Sequence, residues 1–546
     1  MLSDATAGSD FGAQSLANTS WAFATLLLSN DPLLSALSKA SLKIISSLRS
    51  QELSNPAWAY ASLKVADFPL LNATAASALP RIASASSQDL SNTAWAFATL
   101  NCCNVPLLDA IASASLPRLS GEDPQALVNL AWAFSMLFFC HDPLMPAISA
   151  SAIPKSTVYS SQALANTAWS FATLALFDTP LMDALSAASL ARICEFSGQD
   201  LSNFVWAFAN LSVGDVPLFE ALAAAARAKM PLQDLKRMSL GAAHAIALDL
   251  NALVWAFSFA RHFDLVLKAG ILAGLVAIGR EVDDRISCAA PELRITAAGC
   301  APVLTGQYDG YSTAHAASLL TLASFSRAGE AANTSSEELP KIVINRPGTV
   351  VILKPAGWEV DSTGGGDDRP LLSSFVQLHF PKDLYPLAHL LDFGYGFLHR
   401  LDIPSSGLIL TATTFEGLYS LRGQLNTYRL AREYVTLCHG FGPPSADVRA
   451  RVDASSTRVL RSAVGDAGRP AQTYLQSSAH LYFTEGGVTA PACCIVVVRI
   501  RTGRRHQIRA HTRHIGHPTV ADCWYSPEAC TFDNCGLLSA SAEKKK

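Results

Sequence analysis

Residues 87–119 read SQDLSNTAWAFATLNCCNVPLLDAIASASLPRL, and this stretch recurs through the first half of the chain. Its Trp95 has counterparts at Trp21, Trp58, Trp132, Trp169 and Trp206, each 37 residues from the next, and Trp255 follows after 49. A fixed period of this length marks stacked structural units, each too small to bury its apolar face alone. Each unit predicts two helices. The first carries good helix formers and an aromatic two residues after the tryptophan: Phe23, Tyr60, Phe97, Phe134, Phe171 and Phe208. The second opens at Pro32, Pro69, Pro106, Pro143, Pro180 and Pro217, because proline suits a first helical turn, where its missing N–H is not needed. Paired helices stacked side by side predict an all-α solenoid over residues 1–265.

Helical spacing sorts the residues of the first helix by face. The leucines five before and five after the tryptophan cluster with the aromatic two after it. The opposite side carries the tryptophan with Gln14, Gln51, Gln88, Gln125, Gln162 and Gln199, and with Asn18, Asn55, Asn92, Asn129, Asn166 and Asn203. A structural ladder of amides is favoured over a base-reading surface, since base-reading positions would vary between units and these do not. A second row ends the second helix: Arg81, Arg118, Lys155, Arg192 and Lys229. Two readings of it stand level. The cations complement the helix C-terminal dipole, or they follow an RNA phosphate backbone.

The chain has 546 residues, half of them apolar and 16% charged, with a net charge of -3. That predicts more than one domain and argues against disorder. The twelve cysteines include the adjacent pairs Cys102-Cys103 and Cys493-Cys494 and no CxxC, which suits a reducing compartment rather than a disulfide framework or zinc site. No uninterrupted run of apolar residues is long enough to span a membrane. The repeat degrades over 266–340, read as a divergent helical cap, with a capping helix near Ser312–Phe325, followed by the polar linker SRAGEAANTSSEELP (326–340). From residue 341 onward β-branched runs appear, and Lys and Arg outnumber Asp and Glu by 23 to 17. The electrostatic signal for RNA lies in this part, 341–546.

Four segments there stand out: TVVILKPAGWEVDS (349–362), GFLHRLDIPSSGLILTAT (396–413), AREYVTL (431–437) and VVVRIRTGRRHQIRAHTRHIGHPTVADCWY (496–525). The second and fourth suggest a carboxylate held among cations, with Asp402 near His399 and Arg400 and with Arg504, Arg505 and Arg509 supplying more charge. A carboxylate beside a guanidinium stays ionised and can act at a sugar carbon. An isolated HRLD would read as a surface salt bridge. The histidines His506, His511, His514 and His517 lack carboxylate or thiolate partners at metal-ligand spacings.

In this order and with these gaps, the four segments resemble the RluA-type pseudouridine synthases. That family shows a KPAG turn, HRLDxxTSGL, a KxYxAL-like strand, and TGRxHQIRxH followed by GHPxxGDxxY. GRPAQTYL (468–475) fits a further family strand. The resemblance implies an α+β domain with a mixed, mainly antiparallel sheet, no cofactor and no metal. It implies Asp402 as the essential aspartate, Arg504 as its partner and Tyr434 stacked on the uracil. Arg400 would fill the gap left by the extruded base, and Ile508 would form an apolar floor. Lys354, His399, Arg505, His506, Gln507 and Arg509 join them as expected RNA-binding residues. Two departures are Ser405-Ser406-Gly407 in place of TSG, and the short, atypical end after Tyr525. The 37-residue units with LxNTAWAFATL resemble the heptatricopeptide and octotricopeptide repeats of organelle RNA proteins.

The reading is thus an RNA pseudouridine synthase, expected as a monomer, whose solenoid positions rRNA, tRNA or mRNA. The rivals are a catalytically weak RNA-binding or ribosome-assembly factor and a scaffold with a protein partner on the solenoid. The repeat resemblance points to a mitochondrion or plastid. The opening MLSDATAGSDFGAQ carries no targeting pattern, which would suit the cytoplasm if no segment precedes it.

Overall fold

The computed structural model describes residues 12–229, 235–262, 264–289, 339–361, 369–453, 461–465, 468–485, 488–522 and 524–526. The capping helix expected near Ser312–Phe325, most of the linker and the atypical end after Ser526 lie outside the described residues. Packing divides the chain into two compact units. The first comprises Met1–Pro231, Ala245–Leu272 and Gly423–Lys546; the second comprises Leu232–His244 and Ala273–Arg422.

The N-terminal region is mostly helical, and its helices come in pairs: α1/α2 (Ala13–Thr25, Asp31–Ile44), α3/α4 (Ser50–Ser62, Phe68–Ala78), α5/α6 (Ser87–Thr99, Val105–Ser115), α7/α8 (Pro124–Met136, Leu144–Ala152), α9/α10 (Ser161–Thr173, Thr179–Arg192), α11/α12 (Gly198–Leu211, Val216–Ala228) and α13/α14 (Leu240–Ala260, Leu265–Ala289). Most of the second helices start as the prolines require. Asn30, Asp67, Asn104, Asp178 and Asp215 cap them, each accepting a backbone N–H three residues on, with proline in the first turn. The first helices end on a residue in the left-handed region, at Leu27, Lys64, Asn101, Phe138, Ala175 and Ser212. That position again repeats every 37 residues.

The predicted apolar face is present in part: of the leucines five after the tryptophan, Leu211 is buried, Leu63, Leu100, Leu137 and Leu174 are half-buried and Leu26 is exposed. Leu53, Leu90, Leu127, Leu164 and Leu201 are buried, as are Phe97, Phe134, Phe171 and Phe208. The tryptophans are half-buried in most copies and adjoin between segments, with centroids 6.3 Å apart for the tilted pair Trp58–Trp95 and 6.2 Å for the stacked pair Trp95–Trp132. Gln125 donates to Asn129 at 2.8 Å within one helix. The bonds that cross between segments run elsewhere, through Ser54–Asp89 (2.9 Å) and Ser149–Asp178 (2.6 Å). Among the described residues, α13 alone is long and apolar enough to cross a bilayer, with a mean hydropathy of 1.4 over its most apolar window. Here Leu250, Leu253, Val254 and Phe257 are buried, and Trp255 lies 6.4 Å from Trp206, tilted against it.

The first unit also holds β4 (Arg432–His439), β5 (Ser445–Val448), β8 (Thr473–Glu485) and β9 (Val488–Ile500), in the antiparallel order β4-β9-β8-β5. A two-stranded ribbon, β6 (Val452–Asp453) with β7 (Ala463–Val464), lies beside it in sequence. One face of the larger sheet is apolar, with Cys438, Leu475, Cys494, Val496 and Val498 buried and Tyr434 and Ile508 packed on them. Side chains alternate along a strand, so Glu433 and its cross-strand partner Arg499 take the other face and pair there.

The second unit is built on β1 (Lys341–Arg346), β2 (Thr349–Lys354) and β3 (Gly407–Ala412), an antiparallel sheet in that order. Val350, Ile352 and Ile409 are buried against Val376 of α15 (Leu372–His379). The second half of α14, from Ala273, belongs to this unit. The Asp283 carboxylate accepts the backbone N–H groups of Phe415 and Glu416 at 2.9 and 2.8 Å, capping α16 (Phe415–Asn426). Gly279 permits the approach, since a Cβ there would lie 2.4 Å from the Glu416 Cα. His244 bonds the buried Tyr419 hydroxyl at 2.8 Å.

Candidate active site

Asp402 sits in the loop that leads into β3, and the second unit fixes that loop from below. Lys354, at the end of β2 and opposite Gly407, is fully buried. Its ammonium donates to the carbonyls of Pro355 (2.9 Å), Ile403 (3.3 Å) and Ser405 (2.6 Å). Burial lowers its pKa while the Asp402 charge raises it. Lys354, expected to touch RNA, is therefore placed as a staple under the Asp402 turn. Two backbone bonds complete the turn: Gly357 N–H to Ile403 O at 2.9 Å and Ser405 N–H to Asp402 O at 3.0 Å. His399 accepts the Leu410 N–H through Nε2 at 3.2 Å, which ties the start of the loop to β3. Gly396 is obligatory just before it: φ is 82°, and a Cβ would meet the Ala412 carbonyl oxygen at 2.1 Å. Leu401 points to the core, Asp402 is half-buried and Arg400 is exposed.

The first unit holds the other expected residues. Tyr434 pairs across the sheet with Val498 and, like Ile508, lies on the apolar face. Gln507 is buried, and its four bonds are all met. Its amide oxygen accepts from Thr502 Oγ1 (2.8 Å) and Arg504 N–H (3.0 Å). Its amide nitrogen donates to Gln472 O (3.0 Å) and Thr473 Oγ1 (2.9 Å). Gln507 is thus a bracket that sets the Arg504 backbone. The Arg504 guanidinium is anchored through Nε on Pro470 O at 3.0 Å. Burial, then the positive charges of Arg469, Arg451 and Arg432, pull its pKa down to about 10.

Arg509 is clamped by Asp522 in two bonds of 2.6 Å and lies over the rings of Trp524 and Tyr525. His506 caps α17 (Gln507–His514) in a left-handed conformation, with its Nδ1 3.2 Å from the Tyr525 hydroxyl. Arg505 is exposed. His511 is enclosed between Thr473 Oγ1 (2.8 Å) and Ala450 O (3.0 Å), and burial lowers its pKa. Four residues that carry this geometry were not singled out from sequence: Asp522, Arg432, Arg451 and Arg469. Asp522, Arg432 and Arg469 lie in quoted motifs, where an arginine or aspartate does not show its neighbours, and Arg451 lies outside all of them.

The five cations of the helical region each reach back to the preceding 37-residue segment. Arg81 donates to Ser46 O, and Arg118 donates to Ala83 O and Ala85 O, both at 2.6 Å. Lys155 donates to Glu122 O (2.6 Å), Arg192 to Tyr159 O (2.5 Å) and Lys229 to Cys194 O (2.7 Å). These bonds fasten each segment to the one before it.

Residues 348–514 match the family described as RNA pseudouridylate synthase. An uncharacterized RNA pseudouridine synthase of Chloroflexus aurantiacus is 33% identical over 178 residues, covering 32% of this chain and 51% of that protein. Ribosomal large subunit pseudouridine synthase D of Nitrosomonas europaea is 32% identical over 214 residues, covering 38% and 57%. The chain thus spans about half the length of these relatives. Human RNA pseudouridylate synthase domain containing 1 aligns at a TM-score of 0.27 and 22% identity, covering 36% of this chain and 72% of its own. The C-terminal part is an RNA pseudouridylate synthase domain with antiparallel sheets.

Proposed function

We propose that this chain isomerises uridine to pseudouridine in RNA, with Asp402 as the residue that acts at the sugar. The observation that carries the reading is the Asp402 turn, a carboxylate loop stapled by Lys354 inside the matched segment. A residue that must meet a sugar carbon within a fraction of an ångström needs a turn that does not relax. In the proposed reaction the N1–C1′ bond breaks, the uracil turns, C5 bonds to C1′, and the proton released from C5 is balanced by one taken up at N1. The isomerisation is redox-neutral and balances without a cofactor. Tyr434 is assigned to the uracil ring, Arg504 to holding Asp402 ionised, Arg400 to the vacated stack and Ile508 to the apolar floor, all on the family resemblance. The base must first leave its stack, which favours loop or single-stranded uridines.

The helical region to residue 265 is proposed as an α-solenoid that positions the RNA, with 266–340 as its cap and linker and 341–546 as the catalytic part. Its organelle-type repeat resemblance, its monomeric state and the identity of the RNA belong to the same proposal. Asp402→Asn tests the reaction. Pseudouridine formation should vanish in a single-turnover assay, while RNA affinity stays within about tenfold, roughly 1.4 kcal/mol. Retained turnover would remove Asp402 from the chemistry.

A further inference from the structure

Arginines converge around Arg504 from three places in the sequence. Arg451 leads into β6, and its Nε donates to Gly468 O at 2.6 Å. Arg469 is tied to the same ribbon by a mutual backbone pair with Val452, each bond 2.9 Å. Arg504 anchors one residue further on, at Pro470 O. Arg432 starts β4 and donates to Arg501 O at 3.0 Å. It fits because the next turn carries Gly503, where a Cβ would lie 2.6 Å from its Nη1. All four side chains are partly exposed; burial first, and then the charges of Arg469, Arg451 and Arg432, lower the pKa of Arg504. Burial lowers Arg432 and Arg469 as well. The buried Nε of Arg432 has no hydrogen-bond partner among the described residues.

The helical region braces this cluster within the same unit. Phe138, in the loop after α7, lies under the Arg469 guanidinium at 5.8 Å. Arg501, over the Tyr428 ring at 4.3 Å, donates to the Ser258 carbonyl of α13 at 3.0 Å. Grouping guanidiniums at partly desolvated positions costs free energy through repulsion and lost hydration. Each is nonetheless aimed by a backbone carbonyl, a loop or a ring. Such an arrangement is relieved by an anion, and the planar guanidinium fork matches a phosphate oxygen pair.

We propose that Arg432, Arg451 and Arg469, together with Arg504, form an anion subsite that takes a phosphodiester of the RNA strand flanking the target uridine. That the anion belongs to RNA rests on the pseudouridine synthase reading. The chemistry itself is that of a phosphate group. The helical region would then serve the catalytic part directly, by holding two arginines in place, apart from any contact of its own with RNA.

The test is binding of a short fluorescent oligouridylate to the full chain, followed by anisotropy at several KCl concentrations. The double variant Arg451→Gln/Arg469→Gln should bind about tenfold more weakly at low salt, with a salt slope lower by about 0.7, as expected for one single-strand phosphate contact. Arg499→Gln is the control, because Arg499 sits on the opposite face of the sheet with Glu433 and should leave the slope unchanged. Arg469→Lys keeps the charge without the fork and should keep the slope while losing a few-fold in affinity, which covers the case where the double variant does not fold. Inorganic phosphate at constant ionic strength should displace little oligouridylate from the wild type; full displacement at matched concentration would assign the site to a free phosphate instead. The subsite falls if the folded double variant keeps wild-type slope and affinity, if Arg499→Gln loses as much, or if Arg469→Lys binds like the wild type in the absence of a folded double variant. A folded Asp402→Asn chain that binds normally, beside a wild type that makes no pseudouridine, would instead overturn the parent reading and leave the subsite standing.

Discussion

Cations mark both ends of this chain, and they are used in opposite ways. In the helical region Arg118 and its counterparts direct their donors at carbonyls of the neighbouring segment, so each charge closes a seam. In the C-terminal part Arg504 is fixed through Nε alone among the bonds seen, and its neighbours are other arginines that raise its electrostatic cost. A cation that stabilises the fold is surrounded by acceptors. A cation held in the company of like charges is kept there at the expense of stability, and that marks function. The difference teaches that recurrence in sequence is weaker evidence for a binding role than the nature of the immediate neighbours.

The sharpest test of that contrast is Arg504→Ala. Removing a guanidinium that repels three others should leave the melting temperature nearly unchanged. Pseudouridine formation should fall about a hundredfold or more, roughly 2.7 kcal/mol on the barrier, if Arg504 holds Asp402 in its working state. A large drop in melting temperature with full activity per folded molecule would reverse the assignment.

Asp522 offers the counter-case within the same part of the chain. It accepts Arg509 in two bonds, with both side chains largely buried. Asp522→Ala leaves a buried charge unmatched and should cost about 3–5 kcal/mol by denaturant unfolding. Burial pushes the Asp522 carboxyl up, but the hydrogen bonds from Arg509 and Thr519 outweigh it and hold the pKa low. The folded value therefore lies below the unfolded one. The pair's contribution is complete above an unfolded value of about 3.9 and disappears as pH falls through the folded value. Asp522→Asn should lack that acid-side step, and an unchanged acid unfolding profile would show that the pair contributes little.

In the helical region Arg118→Ala should cost about 1–2 kcal/mol, because the buried Ala85 carbonyl loses its donor. The five-alanine variant of Arg81, Arg118, Lys155, Arg192 and Lys229 decides between seam and RNA track. A seam predicts a lowered melting temperature with unchanged salt dependence of RNA binding. A normal melt with a flattened salt slope and lost activity on long RNA would restore the phosphate-tracking reading of these five.

What could be read in advance follows the range of each interaction. The helix pairs were legible because tryptophan and proline act within a turn or two of themselves, and the Asp402 motif because its residues are contiguous. The cation seams were not, since a backbone carbonyl 33 to 35 residues earlier leaves no mark on residue identity. The Asp283 cap on α16 spans 132 residues and looks like any aspartate on a helix. Arg451, Arg469 and Arg504 converge only once the β6–β7 ribbon has formed. The left-handed position closing each first helix was hidden for another reason. It is held by Leu27, Lys64, Asn101, Phe138, Ala175 and Ser212, none of them the glycine that usually announces it.

That last feature yields the smallest effect. Lys64 has φ 57° and is exposed, and the turn around it is closed by Val65 N–H to Tyr60 O at 2.9 Å. A side chain in this conformation crowds the following carbonyl, at a cost of about 1–2 kcal/mol. Glycine removes that crowding but makes the unfolded chain more flexible, which offsets part of the gain. Lys64→Gly should therefore raise stability by a few tenths to about 1 kcal/mol, read as a higher urea midpoint at unchanged slope. The same change at Asn101 should gain less, because asparagine tolerates the left-handed region through local hydrogen bonding. The two positions lie one period apart on the same turn, so each controls for the other. An equal gain at both would trace the effect to something other than backbone conformation, and a loss at Lys64 would mean that its side chain contributes contacts worth more than the conformation costs.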